Sequence, residues 1–307
     1  MRHLFIINPA AGKKKSTAAL EKLLSKLSFP HEVMYTQKAG DAEEFARRAA
    51  QTGEEVRIYA CGGDGTLNEV VNGAAAYPNA AVTCVPKGTG NDFLKIFGPN
   101  YREQFFDLEE LAVGPQTPFD LIDCNGKLGI DVVCCGIDAR IGAGVHRYKK
   151  LFGPAAYVVS LVEQVLLRGI NRPMRGVMGD HCWDDDTALI CVCNGRHYGG
   201  GFNPVPEAMP DDGVLDMLLI PKINLPTLAR VIGRYAAGRY KELPHLVRDY
   251  HGQSVTFSSS RPLTAVVDGE VVEATRFTIG LSDKKINFFY PACAGYSVEN
   301  HTPAATF

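Results

Sequence analysis

The first hundred residues alternate between short apolar runs and amphipathic stretches, and this alternation constrains the fold most strongly. Four runs are predicted to be strands, the first of them buried: LFIIN (4–8), EVMYT (32–36), VRIYA (56–60) and AVTCVP (81–86). Leucine and alanine recur at helical spacing in the stretches between them. Strands that alternate with helices in this way predict an α/β domain with a parallel sheet covered on both faces.

Side chains also predict where two of the helices begin. Ser16 is expected to cap a helix that runs to about Leu27, in which four leucines fall on one face. Asp41, followed three residues later by Glu44, predicts a capping box for a helix that runs to about Gln51. A further helix is expected directly after the glycine cluster at 62–65.

The pattern changes at GPQTP (114–118), which we interpret as a hinge. Beyond it, short apolar or alternating segments separated by turn residues predict a mainly antiparallel β domain, with helical insertions near 151–168 and 225–240. The sequence therefore predicts a nucleotide-binding domain at 1–118 and a β-rich lipid-substrate domain at 119–291. The tail at 292–307 is expected to be loose or to pack back on the first domain.

Composition excludes several classes of protein. The net charge of −2 gives no general attraction to nucleic acid, so we expect no nucleic-acid partner. The nine cysteines include no CxxC pair and are interpreted as reduced thiols of a cytoplasmic protein, with Cys191 and Cys193 on one face of a strand. No apolar run is long enough for a signal peptide or a membrane-spanning helix, so we expect at most peripheral membrane contact.

The loop GGDGT follows the third strand, at the edge of the sheet where ligands bind in such folds. Gly62, Gly63 and Gly65 would let the backbone approach a phosphate, and the next helix would point its free N–H groups at it. Asp64 would repel a bare phosphate but suits a Mg²⁺–nucleotide. The alternative is a tight turn with an aspartate that faces solvent.

A second loop of similar chemistry, KGTGND, follows the fourth strand. Gly88 and Gly90 again permit close approach, Thr89 offers a hydroxyl group and Asp92 offers a carboxylate. Alternatively, Asn91 and Asp92 simply cap the helix DFLKIF. Neither loop is a Walker A or a Rossmann fingerprint, because the spacing of GxxxxGK[ST] and GxGxxG is absent.

The motifs NPAAG (8–12), GGDGTLNEVVNG (62–73) and GTGNDF (88–93), in this order, resemble the diacylglycerol kinase catalytic domain family. That family includes bacterial soluble lipid kinases and is related to sphingosine and ceramide kinases. Segments of the second half, among them NGRHYGGGFNPVPEA, DDGVLD and VDGE, resemble its second domain. The resemblance implies a first domain like that of NAD kinases and phosphofructokinases, and a second domain that is a mainly antiparallel β-sandwich.

The resemblance also implies roles for individual residues. Glu270 would be the general base, and Asp64 and Asp92 would manage Mg²⁺ and phosphate geometry. Lys13, Asp120 and Asp212 would form a charged network. A structural Mg²⁺ would be held by Met209, Asp212 and Val214. ATP would be surrounded by Asn8, Pro9, Ala10, Ala11, Gly12, Thr36, Gly62, Gly63, Asp64, Gly65, Thr66, Leu67, Asn68 and Thr89; many relatives carry serine where this chain has Ala11.

The sequence thus predicts an ATP- and Mg²⁺-dependent lipid kinase that phosphorylates a lipid hydroxyl group, diacylglycerol or similar, in an interdomain cleft. Two alternatives stay open: a soluble kinase similar to NAD kinase, and a regulator that binds nucleotide or lipid without turnover. The alternative interpretation of VDGE is an Asp-Gly turn that joins two strands, with a glutamate that faces solvent. We expect a cytoplasmic protein that contacts membranes transiently; a homodimer is left open.

Overall fold

The computed structural model of the protein describes residues 1–12, 14–152 and 156–296. The chain divides into two compact units. Of the described residues, unit 1 contains those within 1–121, 210–212 and 282–296, and unit 2 contains those within 122–209 and 213–281. The boundaries predicted from the sequence, 1–118 and 119–291, stay a prediction.

Unit 1 contains a parallel arrangement of strands with helices between them. The strands β2 (Glu32–Tyr35), β1 (Arg2–Ile7), β3 (Val56–Gly62) and β4 (Ala80–Pro86) pair side by side in that order, each pair parallel. The end of a later strand, β13 (Glu270–Phe289), continues the row beside β4. The elements are β1 Arg2–Ile7, α1 Lys14–Leu24, β2 Glu32–Tyr35, α2 Asp41–Gln51, β3 Val56–Gly62, α3 Asp64–Ala74, β4 Ala80–Pro86, a 3-10 helix Phe93–Phe97, α4 Tyr101–Gln104, α5 Leu108–Val113 and the start of β5 Gln116–Cys124.

The central strands of unit 1 are buried on both faces, which explains their continuous apolar sequence. All seven residues of β3 and all seven of β4 are buried. Helix α3 packs closely on α2 because Gly73 has no side chain: a Cβ there would lie 2.2 Å from the carbonyl oxygen of Glu43. At the end of the described chain, the ring of Tyr296 packs against Phe97 and Phe119.

The predicted caps of two helices were wrong. Helix α1 begins at Lys14, so Ser16 lies inside its first turn, and the helix ends at Leu24. Helix α2 begins at Asp41 itself, and its cap residue is Gly40, which has no side chain to offer. The carboxylate of Asp41 instead accepts hydrogen bonds from the backbone N–H groups of residues 37 and 38, at 2.8 and 3.0 Å. The sequence predicted both helices correctly but assigned the wrong cap residue to each of them.

Unit 2 is built on antiparallel strands. Strand β9 pairs with β7, β8 and β10, and β12 pairs with β7, β8 and β13, all antiparallel. Strand β11 adds to β10, and β6 pairs with β5. The elements are β6 Lys127–Gly129, β7 Val132–Gly136, α6 Ile137–Phe152, α7 Ala156–Val162 with a π-helical turn Glu163–Leu167, β8 Arg172–Met178, β9 His181–Cys193, β10 Leu215–Pro221, α8 Leu225–Ala236, a 3-10 helix Tyr240–Glu242, β11 Arg248–Gly252, β12 Ser254–Val267 and β13 Glu270–Phe289.

Alternate residues of these strands face two different apolar clusters, as the period of two in a strand requires. Cys134 and Cys191 belong to the cluster that includes residues of α6 and α8. Cys135 and Val192, their sequence neighbours, belong to the cluster that includes Phe257. The prediction that Cys191 and Cys193 share one strand face is confirmed, since their sulfur atoms lie 3.5 Å apart. All nine cysteines are free thiols.

Of the two predicted helical insertions, the second is confirmed as α8, which Asn224 caps by accepting a hydrogen bond from the N–H of Thr227 at 2.9 Å. The first is confirmed as α7 and the π-helical turn that follows it. Helix α6, which begins at Ile137, precedes it and was not predicted. Gly136, with a φ of +121°, ends β7 and lets the chain turn directly into this helix.

Candidate active site

The loop after β1, residues 8–12, is fixed by Asn8. The side-chain oxygen of Asn8 accepts a hydrogen bond from the N–H of Ala10 at 3.0 Å. Its amide group donates to the hydroxyl group of Thr66 at 3.1 Å, and its backbone N–H donates to the carbonyl oxygen of Cys61 at 3.0 Å. Asn8 therefore joins the NPAAG loop to the first turn of α3.

The GGDGT loop passes from β3 into α3, which begins at Asp64. Gly63 is the cap residue and has an extended backbone. Beyond Gly65 there is open space where a Cβ would project. The first N–H groups of an 11-residue helix thus lie at the carboxyl edge of the parallel strands, which is the geometry that favours an anionic ligand.

The carboxylate of Asp64 links the two glycine-rich loops. It accepts hydrogen bonds from the backbone N–H groups of Asn91 and Asp92, at 2.9 and 2.6 Å. A Cβ added to Gly90 would lie 2.8 Å from Oδ2 of Asp64 and 3.7 Å from Oδ2 of Asp92, so both carboxylates flank the same glycine. Two carboxylates around one backbone position form an oxygen-rich set of the kind that suits Mg²⁺.

Gly88 is required by the contact between the two loops. Its N–H donates to the carbonyl oxygen of Gly62 at 2.9 Å. A Cβ on Gly88 would lie only 2.6 Å from the Cα of Gly63, so a side chain there would force the loops apart. Asn91, with a φ of +53°, donates its side-chain amide to the same Gly62 oxygen at 3.0 Å.

Asp92 is the cap residue of the short helix by position, but its side chain does not serve as the cap. Its side chain makes no cap hydrogen bond and instead forms an ion pair with Lys95, with 2.5 Å between Oδ1 and Nζ. Asp92 is buried. The carboxylate is thus held beside the loop by a cation one turn further along the 3-10 helix.

The other residues predicted to bind nucleotide fall into two groups. Pro9, Ala10 and Gly12 are exposed, while Leu67 and Asn68 are buried beneath the first turn of α3. Thr36 extends β2, since its N–H donates to the carbonyl oxygen of Ile7 at 2.9 Å. All of these assignments stay predictions.

Lys87 is a site residue that the sequence reasoning missed. Its ammonium group donates to the carbonyl oxygen of Asn8 at 3.0 Å and to the hydroxyl group of Thr17 at 2.8 Å. Lys87 is buried, and this burial lowers the pKa of its amine. A lysine before a glycine resembles an ordinary solvated loop residue, and the only available signal was its position at the end of a buried strand.

Arg102 was also missed. Its guanidinium group donates to four backbone carbonyl oxygens of the KGTGND loop region, those of residues 86, 88, 89 and 90, at 3.1 to 3.3 Å. Tyr101 donates its hydroxyl group to the carbonyl of Gly90 as well, at 3.3 Å. The side chain of Arg102 therefore fixes the loop by contacting the backbone of the loop. Because every residue type offers a backbone carbonyl, this contact leaves no motif in the sequence.

In unit 2, Glu270 opens β13 directly after a two-residue hairpin turn. Asp268 and Gly269 both have positive φ, +46° and +93°, and Val267 pairs with Glu270 across the turn. These are the features of a type I′ hairpin. The turn between two strands is therefore present, and the carboxylate of Glu270, with 39% of its side chain exposed, forms an ion pair with Lys127 at 2.9 Å.

Asp268 holds this hairpin in place. Its carboxylate accepts three backbone hydrogen bonds, from the N–H groups of Ile130, Asp131 and Val132, at 2.7, 3.1 and 2.9 Å. A carboxylate that receives three N–H donors is strongly anchored. Asp268 thereby fixes the turn next to Glu270, although the sequence assigned it no role of its own.

The residues predicted to form a charged network are only partly described. Lys13 lies outside the described residues. Asp120 forms an ion pair with Lys285, 2.7 Å from Oδ1 to Nζ, and Lys285 was not among the predicted partners. Its backbone N–H donates to the carbonyl oxygen of Pro210 at 2.6 Å. One described partner of Asp120 is thus a lysine from a distant part of the sequence.

In the DDGVLD segment, Asp211 is a further candidate ligand for a cation. Both of its carboxylate oxygens are buried without a hydrogen-bond partner, whereas Asp212 is exposed. A buried carboxylate with unused lone pairs suits a hard cation. Within the described residues, no cluster of three His, Cys, Asp or Glu side chains could hold a metal. A Mg²⁺ site here would therefore need backbone oxygens, such as the predicted carbonyls of Met209 and Val214.

A second polar cluster in unit 2 surrounds Asp138, in the GIDA segment. The hydroxyl group of Tyr198 donates to Oδ2 of Asp138 at 2.9 Å, and the N–H of Ala139 donates to Oδ1 at 2.7 Å. The hydroxyl groups of Tyr198 and Tyr235 lie 3.1 Å apart. Burial, opposed by these donors, raises the pKa of Asp138 to about 7.

Comparison with known proteins agrees with these motifs. The diacylglycerol kinase catalytic domain matches residues 2–124, and the YegS C-terminal NAD kinase beta sandwich-like domain matches residues 131–288. A diacylglycerol kinase of Staphylococcus carnosus (strain TM300) is 30% identical over 275 residues, covering 88% of each chain. A relative in Stenotrophomonas maltophilia (strain K279a), named "Probable lipid kinase YegS-like", is 31% identical over 280 residues, covering 85% of this chain and 87% of the relative.

The fold has relatives among solved structures. The crystal structure of a diacylglycerol kinase from Bacillus anthracis str. Sterne superposes with a TM-score of 0.69 at 20% identity, covering 94% of this chain and 96% of that one. Two domains of the lipid kinase type therefore make up the chain. The chain belongs to the diacylglycerol kinase catalytic domain family, as its three loop motifs predicted, and is a kinase of the lipid kinase class.

Within the part of the chain that the structure describes, no helix combines the length and the apolar character needed to cross a membrane.

Proposed function

We propose that this protein transfers the γ-phosphate of ATP to the hydroxyl group of a lipid, with diacylglycerol as the first candidate. The observation that carries the proposal is the pair of glycine-rich loops that Asp64 joins at the carboxyl edge of parallel strands. Relatives of the chain are named diacylglycerol kinase, which makes that lipid the first to test.

In this proposal the nucleotide lies against the loops that follow β1, β3 and β4. The N–H groups at the start of α3 and the loops at 8–12 and 88–90 would receive the phosphates, with Thr36, Thr66 and Thr89 as further contacts. Mg²⁺, held at Asp64 and Asp92, would neutralise charge on the phosphates. The second proposed Mg²⁺ would be structural, at Met209, Asp212 and Val214, and the unpartnered oxygens of Asp211 support adding that residue.

Glu270 is proposed to be the general base. The lipid hydroxyl oxygen would bond to the γ-phosphorus, the bond from that phosphorus to the ADP oxygen would break, and the hydroxyl proton would pass to the carboxylate of Glu270. The hairpin anchored by Asp268 would position Glu270, and Lys127 would keep its carboxylate oriented.

The finer structural assignments belong to the same proposal. We propose that the first domain shares the fold of NAD kinases and phosphofructokinases, that the second is a β-sandwich, and that the limits are 1–118 and 119–291. The description of the second matching domain as NAD kinase beta sandwich-like supports this. We also propose a cytoplasmic protein that touches the membrane during turnover.

The test is transfer of radiolabelled γ-phosphate from Mg²⁺–ATP to lipids in mixed micelles, with NAD as a soluble acceptor. Wild type should label diacylglycerol or a similar lipid, and Glu270→Gln should lose the label while still binding ATP. Glu273→Gln, an exposed glutamate on the same strand, is the matched control and should remain active. Label in NADP instead of lipid, or equal activity of wild type and Glu270→Gln, would overturn the proposal.

A further inference from the structure

Lys87 is a buried cation of unit 1 whose described hydrogen-bond partners are neutral. The residue is 5% exposed. Its ammonium group donates to the carbonyl oxygen of Asn8 at 3.0 Å and to the hydroxyl group of Thr17 at 2.8 Å. Among the residues that the structure describes, no carboxylate forms an ion pair with it. A positive charge therefore lies in a place that water scarcely reaches.

The surrounding protein does not balance this charge. Taking an ammonium ion out of water is unfavourable unless an anion compensates it. Burial accordingly lowers the pKa of Lys87, and the charge of Glu21 acts in the opposite direction without cancelling the shift. Glu21 is exposed, and its carboxylate accepts a hydrogen bond from the hydroxyl group of Tyr35 at 2.7 Å. An anion from outside the chain would complete the environment of Lys87.

A purely structural link between these loops would not require a charge. The carbonyl oxygen of Asn8 and the hydroxyl group of Thr17 can each accept a hydrogen bond from a neutral amide, which costs less to bury than an ammonium ion. The two hydrogen bonds explain why a donor lies here and leave the positive charge unexplained. An ammonium group has three N–H donors, and these two bonds use two of them.

Lys87 lies where the loops that follow β1, β3 and β4 meet. It comes directly after the last residue of β4. A Cβ added to Gly12 would lie only 2.2 Å from the carbonyl oxygen of Lys87, so the NPAAG loop lies directly against this residue. The next residue, Gly88, donates to the carbonyl oxygen of Gly62 in the loop after β3, at 2.9 Å. The unbalanced charge is thus placed among the loops that the proposed function assigns to the phosphates of ATP.

We propose that the ammonium group of Lys87 is the counter-charge for the phosphate groups of the bound nucleotide. The inference rests on the proposed function, because a nucleoside triphosphate is the ligand that brings negative charge to these loops. The attraction acts on the phosphate chain and not on the nucleoside. Loss of the charge therefore weakens the binding of ligands that carry phosphates and leaves the binding of a nucleoside unchanged.

The test measures the binding of ATP, adenosine and inorganic tripolyphosphate to the full chain by isothermal titration calorimetry, with Mg²⁺ present. Adenosine lacks the phosphates, and tripolyphosphate lacks the nucleoside. Lys87→Gln keeps a hydrogen-bond donor without the charge. It should weaken the binding of ATP and of tripolyphosphate by at least about tenfold, while adenosine binds within about twofold of wild type. Lys87→Arg keeps the charge and should recover a large part of the loss.

Lys22→Gln is the matched control, because Lys22 is an exposed lysine of α1, and it should bind all three ligands as wild type does. If Lys87→Gln loses as much affinity for adenosine as for ATP, the residue only holds the loops in shape and the proposal is refuted. Equal affinity of wild type and Lys87→Gln for tripolyphosphate refutes it as well.

Transfer of labelled phosphate to lipid tests the proposed function separately. A wild-type protein that binds ATP with this dependence on Lys87 but phosphorylates no lipid would refute the proposed function and not the counter-charge. A lipid kinase whose affinity for tripolyphosphate does not depend on the charge of residue 87 would refute the counter-charge and not the function.

Discussion

The raised pKa of Asp138 predicts a specific dependence of stability on pH. The ordinary pKa of an aspartic acid is 3.8, and burial raises that of Asp138 to about 7. The folded protein therefore holds a proton on this carboxyl group at pH values where the unfolded chain has released it. The stability contributed by that proton is complete below the unfolded pKa and is lost as the pH rises through the folded pKa.

The magnitude follows from the width of this window. One pKa unit corresponds to roughly 1.4 kcal/mol, so raising the pH from about 5 to about 8 should remove roughly 2 to 3 kcal/mol of stability. Asp138 is partly accessible to solvent, so we expect the lower end, about 2 kcal/mol. Asp138→Asn keeps the shape of the side chain but cannot ionise. The free energy of unfolding of this variant therefore does not depend on ionisation at residue 138.

The assay is urea unfolding of wild type and Asp138→Asn at a series of pH values between about 5 and 8. Other titrating groups affect both proteins, so the difference in the free energy of unfolding isolates Asp138. Wild type should lose about 2 kcal/mol relative to the variant as the pH rises. A difference that stays constant over this range, or that changes in the opposite direction, would refute the reasoning.

Three further predictions concern side chains that hold the site. Lys87→Met removes the cation from the carbonyl oxygen of Asn8, so the KM for ATP should rise about tenfold in steady-state assays, and Lys87→Arg should restore part of the loss. Arg102→Leu removes the donor to four carbonyls within 86–90, so kcat/KM should fall at least about tenfold and thermal-shift measurements should show a lower Tm. Asp268→Ala leaves three backbone N–H groups without their acceptor and should cost about 3 kcal/mol in urea unfolding.

Each of these predictions has a result that contradicts it. An unchanged KM in Lys87→Met would mean that the lysine does not position the NPAAG loop. Unaltered kinetics and Tm in Arg102→Leu would mean that the loop holds its shape without the guanidinium group. If Asp268→Ala unfolds at the same urea concentration as wild type, water replaces the carboxylate at no cost.

Local patterns were enough to predict the strands and helices of the first unit. The four apolar runs correspond to β1, β2, β3 and β4 within a residue or two at each end. Strands β3 and β4 were recognisable because a strand buried on both faces is apolar throughout, whereas β2 is exposed at all of its residues and was recognisable only from its place in the alternation. The three loop motifs were sufficient to identify the family, which the comparisons confirm.

Interactions between distant residues were not predictable from such patterns. Lys87 reaches Thr17 across 70 positions in sequence, and Asp268 reaches Val132 across 136. The capping box at Asp41 failed for a related reason, because an aspartate at a helix start can accept hydrogen bonds from the preceding loop equally well. A side chain that hydrogen-bonds to backbone atoms does not require a particular residue type at the contacted position. Such a contact therefore leaves no motif in the sequence.

The hydrogen bonds of Asp64 explain why a carboxylate can lie in a loop whose backbone N–H groups attract anions. Two of its lone pairs are used by the backbone N–H groups of Asn91 and Asp92, which partly balance its charge and set the second loop beside the first. An ionised carboxylate has about four acceptor positions, so accepting these two N–H groups is compatible with binding a cation. The aspartate therefore serves the fold and the proposed Mg²⁺ chemistry together, and its replacement by alanine would separate the loops before it removed a metal ligand. Replacement by asparagine, which keeps one oxygen acceptor, is consequently the better probe of the metal role.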